Sequence, residues 1–306
     1  MIGIQTDSLE SLNFESDTSL LLASEIASRG YKLFFFCPND IYFAGETISA
    51  HGHIVDLDYA NHKYQASPHI ADLLDLKLVL VRQNPPFDLG YLHNTYMLDI
   101  LESKIPFFNK PSAIRNTPEK LSALRFPNYI PDTLLTNQAS LVMSFLQKHK
   151  KIVLKAPYGF GGNEVKVAEL NSAANINQFM QEHGFVIAQE FLDEIKDGDK
   201  RVFIVARDIL GAIRRVPQAH GFLSNLGHGA TAHKTSLSPK ELEICENVSD
   251  FLRAQDIFFA GVDLIGEKLI EINVTSPTAV KAYNALYDSA LEKTIVDMMQ
   301  LNEKNG

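Results

Sequence analysis

Between Gly261 and Asn273, two short β-rich runs flank a Gly266-Glu267-Lys268 turn, and this ribbon restricts the fold more than any other stretch. The runs should pair antiparallel. A turn centred on Glu267 sets Asp263 directly opposite Glu271, and alternation puts Asn273 on the same face as Glu271. Directly opposed residues have Cβ atoms roughly 4.5–5.5 Å apart, where like charges repel. Two carboxylates and an amide oxygen on one face therefore ask for a cation. A small all-oxygen donor set suits Mg²⁺, which keeps waters and takes part of its shell from substrate phosphates. A surface hairpin with its acids in water would carry the same residues. The apolar Leu264, Ile265, Leu269, Ile270 and Ile272 argue instead for burial.

The chain has 306 residues, enough for two or three domains with real cores. Its net charge of −9 is uneven: residues 1–118 carry 8 basic and 14 acidic side chains, residues 119–306 carry 20 and 23. No clustered basic excess suggests a nucleic-acid partner. Cys37 and Cys245 show neither metal-ligand nor disulfide-framework spacing. No signal peptide is apparent, and no apolar run approaches the roughly 20 residues that span a bilayer. These features lead to the expectation of a soluble, cytoplasmic protein.

Residues 1–117 read as an α/β domain with a mostly parallel sheet. Expected strands are Ile2–Gln5, Tyr31–Phe36, Leu76–Val81 and Pro106–Phe108, with a hairpin across Ala44-Gly45-Glu46 and helices from Asp17 or Thr18 to Gly30 and over 89–103. Thr117 as N-cap and Pro118 at the first helical position should open the next helix. From about 151 the order becomes α+β. Strands are expected at 151–155, 164–168, 185–191, 200–206 and 209–216, and helices near 173–183, 239–255 and 284–301. The domain bounds expected are 1–117, 118–190 and 191–306.

Several segments carry chemistry. Lys155 ends a strand and Gly159-Phe160-Gly161-Gly162 follows, so backbone N–H groups can close on an anion beside a lysine. The spacing is not that of a Walker loop. Lys120 sits in a helical first turn, where the dipole disfavours a cation unless phosphate lies beside it. From Ile209 to Lys240 there is no Asp or Glu, but there are Arg214, Arg215, Lys234, Lys240, His220, His228 and His233 among glycines. Such a stretch suits a mobile lid over an anionic substrate, or a plain surface loop. Asp199-Lys200-Arg201 begins a strand and Arg82 ends one, the latter at the edge where open α/β sheets bind ligands. Both arginines could also be ordinary surface groups.

Together these segments resemble bacterial glutathione synthetase, an ATP-grasp ligase. The resemblance runs through Ile2-Gly3-Ile4-Gln5, Arg82 to Asp88, Glu119-Lys120-Leu121, Lys155 with its glycines, Lys196 to Arg201, Arg215-Val216-Pro217-Gln218 and Glu271 to Thr278. It implies α+β ATP-grasp lobes after the α/β domain, with ATP as co-substrate. Lys120, Lys155, Gly159, Gly161 and Gly162 would hold phosphates. Gln189, Glu190, Phe191 and Leu192 would meet adenine, and Asp199 the ribose. Asp263, Glu271 and Asn273 would bind Mg²⁺, with Mn²⁺ as a substitute, in agreement with the hairpin. Arg201 and Arg215 would be catalytic, facing the acyl group, and Arg82, Asn225, Ser276 and Thr278 would bind substrate. The implied substrates are γ-glutamylcysteine and glycine, and the implied assembly is a homotetramer.

The chain departs from the family where Leu223 precedes Ser224-Asn225 in place of an arginine. It also has Gly227-His228-Gly229 for Ala-Gly-Gly, and Tyr158 for an acidic residue. Arg214 is a candidate to replace the missing lid charge. Two alternatives share the pattern: an ATP-grasp ligase for another acceptor, and a nucleotide-binding protein without turnover.

Overall fold

The computed structural model describes residues 1–301 apart from Asn163, Ala219, His220 and Phe222. The lid histidine His220 thus lies outside the described residues. The first sheet has strands β1 (Ile2–Gln5), β2 (Leu33–Phe36), β3 (Ile41–Ala44), β4 (Thr47–Asp58), β5 (Lys63–Asp72), β6 (Leu78–Val81) and β7 (Phe107–Phe108). Helices α1 (Thr18–Ser28), α2 (Leu89–Asp99) and α3 (Pro111–Asn116) accompany it. In the order β2-β1-β6-β7 all pairs are parallel, whereas β3, β4 and β5 add antiparallel pairs. The Leu-Phe-Phe-Phe and Leu-Val-Leu-Val runs of β2 and β6 are buried throughout, as strands covered on both faces must be. Asp17 caps α1 by accepting from the Ser19 and Leu20 amides at 2.6 and 3.1 Å.

The second sheet is antiparallel and follows α4 (Glu119–Ser122). It comprises β8 (Thr133–Thr136), β9 (Lys151–Lys155), β10 (Val165–Glu169) and β11 (Val186–Glu190), covered by α5 (Ala139–His149) and α6 (Ala173–His183). The third has β12 (Asp199–Val205), β13 (Asp208–Val216), β14 (Thr231–Lys234), β15 (Phe259–Ile265) and β16 (Lys268–Asn273). Helix α7 (Pro239–Ala254) covers one face, and α8 (Val280–Tyr287) and α9 (Leu291–Met298) complete the chain. Ser238 and Glu241 form a reciprocal capping box at the start of α7.

Alternation along the third sheet positions the site. Val202, Ile204, Val262 and Ile272 pack toward α7. Phe203, Val205, Ile213 and Phe259 pack against α1 and the first sheet. Asn109, just after β7, ties the two sheets: its amide donates to the carbonyls of Phe259 and Val274, both at 2.7 Å. Its oxygen accepts from the Phe258 and Phe259 amides at 2.8 and 2.7 Å.

Three expectations change. Pro118 itself takes the N-cap position of α4, because residues 111–116 already form α3 and Thr117 joins the two. The helix expected over 284–301 is two helices, broken where Asp288 turns left-handed at φ 51°. Strand β5 and the β8–α5 unit were not anticipated: β5 is exposed over most of its length and so lacks an apolar alternation.

Candidate active site

The hairpin register is the expected one, reached by a different route. Its turn has two residues, Gly266 at φ 54° and Glu267, with Ile265 opposite Lys268. A bulge then leaves Ile270 as an extra residue and restores Asp263 opposite Glu271, with Gly261 opposite Asn273. The three polar side chains converge, Asn273 Nδ2 donating to Asp263 Oδ2 at 3.2 Å.

Their immediate neighbours are cations. Arg201 grips Asp263 with both forks at 2.5 and 2.8 Å, and Arg215 Nη2 lies 3.1 Å from Asp263 Oδ2. Arg215 also holds both oxygens of Asp199, from Nε at 2.8 Å and from Nη2. All four side chains are buried, as two arginines against two aspartates. Burial acts to raise the Asp263 pKa, but Arg201 and Arg215 overcome it and hold the carboxyl at about 2. Burial raises Asp199, and Arg215 only partly offsets it.

Lys120 donates to Glu271 at 2.8 Å and to the Gly159 carbonyl. Burial opposes its charge, yet Glu271 wins and its pKa lies above the usual value. Lys155 donates to Gln189 Oε1 at 2.6 Å. Here burial wins, bringing the ammonium down to about 8.

These residues line one cavity of about 530 Å³ between the three sheets. Gln189, Glu190, Phe191 and Leu192 form one wall, with Val153, Val165, Ile195 and the bulge residue Ile270 giving an apolar slot. Gly161 and Gly162 line it too. Gly159 faces an adjoining recess, where a Cβ would meet Glu164 Oε2 at 2.4 Å. In that recess Tyr158 stacks on Phe87 with ring centres 5.8 Å apart.

The lid expectation is partly realised. Leu223, Ser224, Asn225, Leu226 and Gly227 line the cavity, and His228 Nε2 donates to the Gly161 carbonyl at 2.6 Å. Residues 231–234, by contrast, are strand β14. Arg214 does not replace the absent lid arginine. It alternates away from Arg215, pairs across from Lys200 and His233, and is exposed outside the cavity.

Ser276 and Thr278 line the cavity as expected, but Arg82 does not. Its guanidinium is buried behind them, donating to Ser19 Oγ at 3.1 Å and the Pro277 carbonyl at 2.7 Å. Arg82 therefore shapes the 276–278 loop from below.

Glu119, Asp7 and Asn84 are among the lining residues that sequence reasoning did not assign to the site. Glu119 Oε1 accepts from the Val274 and Thr275 amides at 2.9 and 3.0 Å and from Thr275 Oγ1 at 2.9 Å. Asp7 and Asn84 follow the carboxyl ends of β1 and β6. The strand-end rule that singled out Arg82 applies equally to them.

As a donor set, Asp263, Glu271 and Asn273 fit a hard divalent ion. Two carboxylates and an amide oxygen supply only part of its shell. Among the described residues no group of three or more His, Cys, Asp or Glu side chains is placed to hold a metal; substrate oxygens and water are suited to fill the rest of the shell. An ion here would share Asp263 with Arg201.

Comparison with known proteins gives the same picture. Residues 1–115 match the N-terminal domain family of prokaryotic glutathione synthetase, and residues 119–288 its ATP-grasp domain family. A glutathione synthetase of Anaplasma centrale is 38% identical over 288 residues, covering 93% of this chain and 92% of that protein. One of Bradyrhizobium diazoefficiens is 34% identical over 288 residues, covering 92% and 91%. Among solved structures, D-cycloserine synthetase DcsG superposes with a TM-score of 0.69 at 12% identity, covering 99% of this chain and all of that one. A RiPP-associated ATP-grasp ligase of Chryseobacterium gregarium gives 0.65 at 16% identity, covering 99% and 98%. At such identities the two structures speak to the fold alone. With both parts of the family matched along nearly the whole chain, this protein belongs to the prokaryotic glutathione synthetase family, an α/β domain joined to an ATP-grasp domain.

Proposed function

We propose that this chain is an ATP-dependent ligase that joins γ-glutamylcysteine to glycine, forming glutathione and releasing ADP and phosphate. The observation that carries the reading is the meeting of Lys120, Lys155 and the Asp263–Glu271 edge in one cavity with two arginines. The family works with ATP and a divalent metal.

A carboxylate resists attack by an amine until its oxygen becomes a leaving group. Transfer of the γ-phosphoryl group to the cysteinyl carboxylate gives an acyl phosphate, and the glycine amine then displaces phosphate. Such transfer needs positioning and neutralisation more than covalent help from the protein. Lys120 and Lys155, with the 159–162 loop, would bind the phosphates. The slot beside Gln189 to Leu192 suits the planar base, and Asp199 the ribose. Arg201 and Arg215 would steady the charge that develops on the acyl group. Asn225, Ser276 and Thr278 would contact the substrate, with Arg82 bracing their wall. Asp263, Glu271 and Asn273 would hold Mg²⁺ or Mn²⁺, which supplies charge neutralisation at the phosphate oxygens.

The test is ADP and glutathione formation by the purified chain, with and without glycine and Mg²⁺. Turnover only with γ-glutamylcysteine plus glycine supports the reading. Turnover with another acid or amine alone would favour a different ligase, and tight ATP binding without turnover a silent nucleotide binder.

Domain bounds of 1–117, 118–190 and 191–306 are supported by one sheet falling in each span. A cytoplasmic setting suits the two free cysteines, and no helix among the described residues is long and apolar enough to cross a membrane. The homotetramer rests on the family resemblance and is checked by light scattering.

A further inference from the structure

The wall supplied by the first sheet is chemically unlike the rest of the cavity. It forms where β1 and β6 end side by side, the chain reaching Asp7 from one and Asn84 from the other. The connection from β1 runs through α1 on one face of the sheet, and that from β6 through α2 on the other. Connections that diverge in this way leave a crevice at the carboxyl ends of the two strands.

The half-buried Asp7 carboxylate is bound by Asn84, whose Nδ2 donates to Oδ2 at 2.7 Å. Every cation lining the cavity is engaged elsewhere: Lys120 with Glu271, Arg201 with Asp263, Arg215 with Asp199 and Asp263, Lys155 with Gln189. Arg82 turns toward Ser19 and Pro277. Among the described residues no Lys, Arg or His forms an ion pair with Asp7. Just before it, Gln5 and Thr6 are buried with Gln5 Nε2, Gln5 Oε1 and Thr6 Oγ1 lacking a partner. Neither of these residues lines the cavity, whose Asp7 end is marked by an acid without a cation.

γ-Glutamylcysteine carries its ammonium at the end of the molecule remote from the cysteinyl carboxylate that reacts. We propose that Asp7 receives the glutamyl α-ammonium and thereby sets the preference for a γ-glutamyl acid, with Asn84 as the residue that positions it. This rests on the ligase reading above. Glycine is the poorer occupant, because an ammonium held by a carboxylate is kept from becoming the free amine that attacks.

The experiment compares γ-glutamylcysteine with N-glutarylcysteine, which lacks only the amino group, in the wild type and in Asp7→Asn. The wild type should prefer γ-glutamylcysteine. In Asp7→Asn the KM for γ-glutamylcysteine should rise about tenfold, the loss of one charge-assisted contact. The kcat and the KM for ATP and glycine should hold, and the preference between the two acids should vanish. Asn84→Ala should raise the γ-glutamylcysteine KM by less and leave the N-glutarylcysteine KM alone, a split that a loss of folding would not produce. The proposal is overturned if Asp7→Asn keeps the wild-type preference, weakens both acids equally, or moves the glycine KM instead. Failure of the wild type to turn over γ-glutamylcysteine with glycine would remove the ligase reading and this subsite together, a result distinct from those three.

Discussion

Lys155 and Lys120 have the same side chain but opposite electrostatic surroundings. Glu271 pairs with Lys120, while Lys155 is hydrogen-bonded to the neutral Gln189 and burial brings its pKa down to about 8 against the more distant pull of Glu271. Lys155 therefore loses its charge as pH rises through about 8. The KM for ATP should climb above that pH, and Lys155→Arg should flatten the climb, because guanidinium stays protonated. For stability the sign is the reverse of a salt-bridged lysine. The unfolded chain binds the proton more tightly between about 8 and 10.5, so unfolding free energy should rise with pH across that window. Glu271 is the less buried of the two carboxylates and so the milder to test, although it too pairs with a cation, Lys120. Asp263→Asn would strand Arg201 as a buried charge, while Arg215 keeps Asp199, and should cost about 3–5 kcal/mol in stability. Glu271→Gln should instead lower kcat on the order of 100-fold and raise the Mg²⁺ requirement in steady-state assays. The lysines, the glycines and the acidic pair were legible because charge at a strand end or turn is a local feature. Glu119 was not: its partners Val274 and Thr275 lie more than 150 residues away, so its clasp on their backbone exists only after folding.

At the scale of elements, the hairpin shows how a correct pairing can come from an incorrect turn. A three-residue turn and a two-residue turn plus one bulge both place Asp263 opposite Glu271, and local sequence does not separate them. Since the bulge shares in fixing register, Gly266→Ala should lower stability by about 1 kcal/mol in urea unfolding, because Ala resists positive φ, while leaving kcat nearly unchanged. The misassigned last helix has a different cause. Apolar spacing continues from α8 into α9, but Asn284 Oδ1 accepts the Leu291 amide at 2.8 Å and starts a new helix there. Arg214 was misjudged for want of alternation: one position from Arg215 on a strand means the opposite face.

Across the whole molecule, the first and third sheets share one apolar core, and Asn109 adds four hydrogen bonds between them. Asn109→Leu leaves two carbonyls and two amides buried without partners. It should cost about 3 kcal/mol or more, read as an earlier urea midpoint or as separate unfolding of the two parts. Nothing local in the Phe107 to Lys110 stretch announces that clamp, for it depends on how two distant sheets dock. A second bridge has a subtler effect. Phe87 belongs to the segment after Asn84 that leads into α2, and Tyr158 to the loop between β9 and β10. Both rings face the recess beside the cavity, so a shift of either segment on ligand binding would reach the other through this pair. Thermodynamic linkage makes such communication symmetrical: whatever factor the dipeptide adds to ATP affinity, ATP returns to the dipeptide, and calorimetry on Phe87→Ala should find both shrunk in equal ratio.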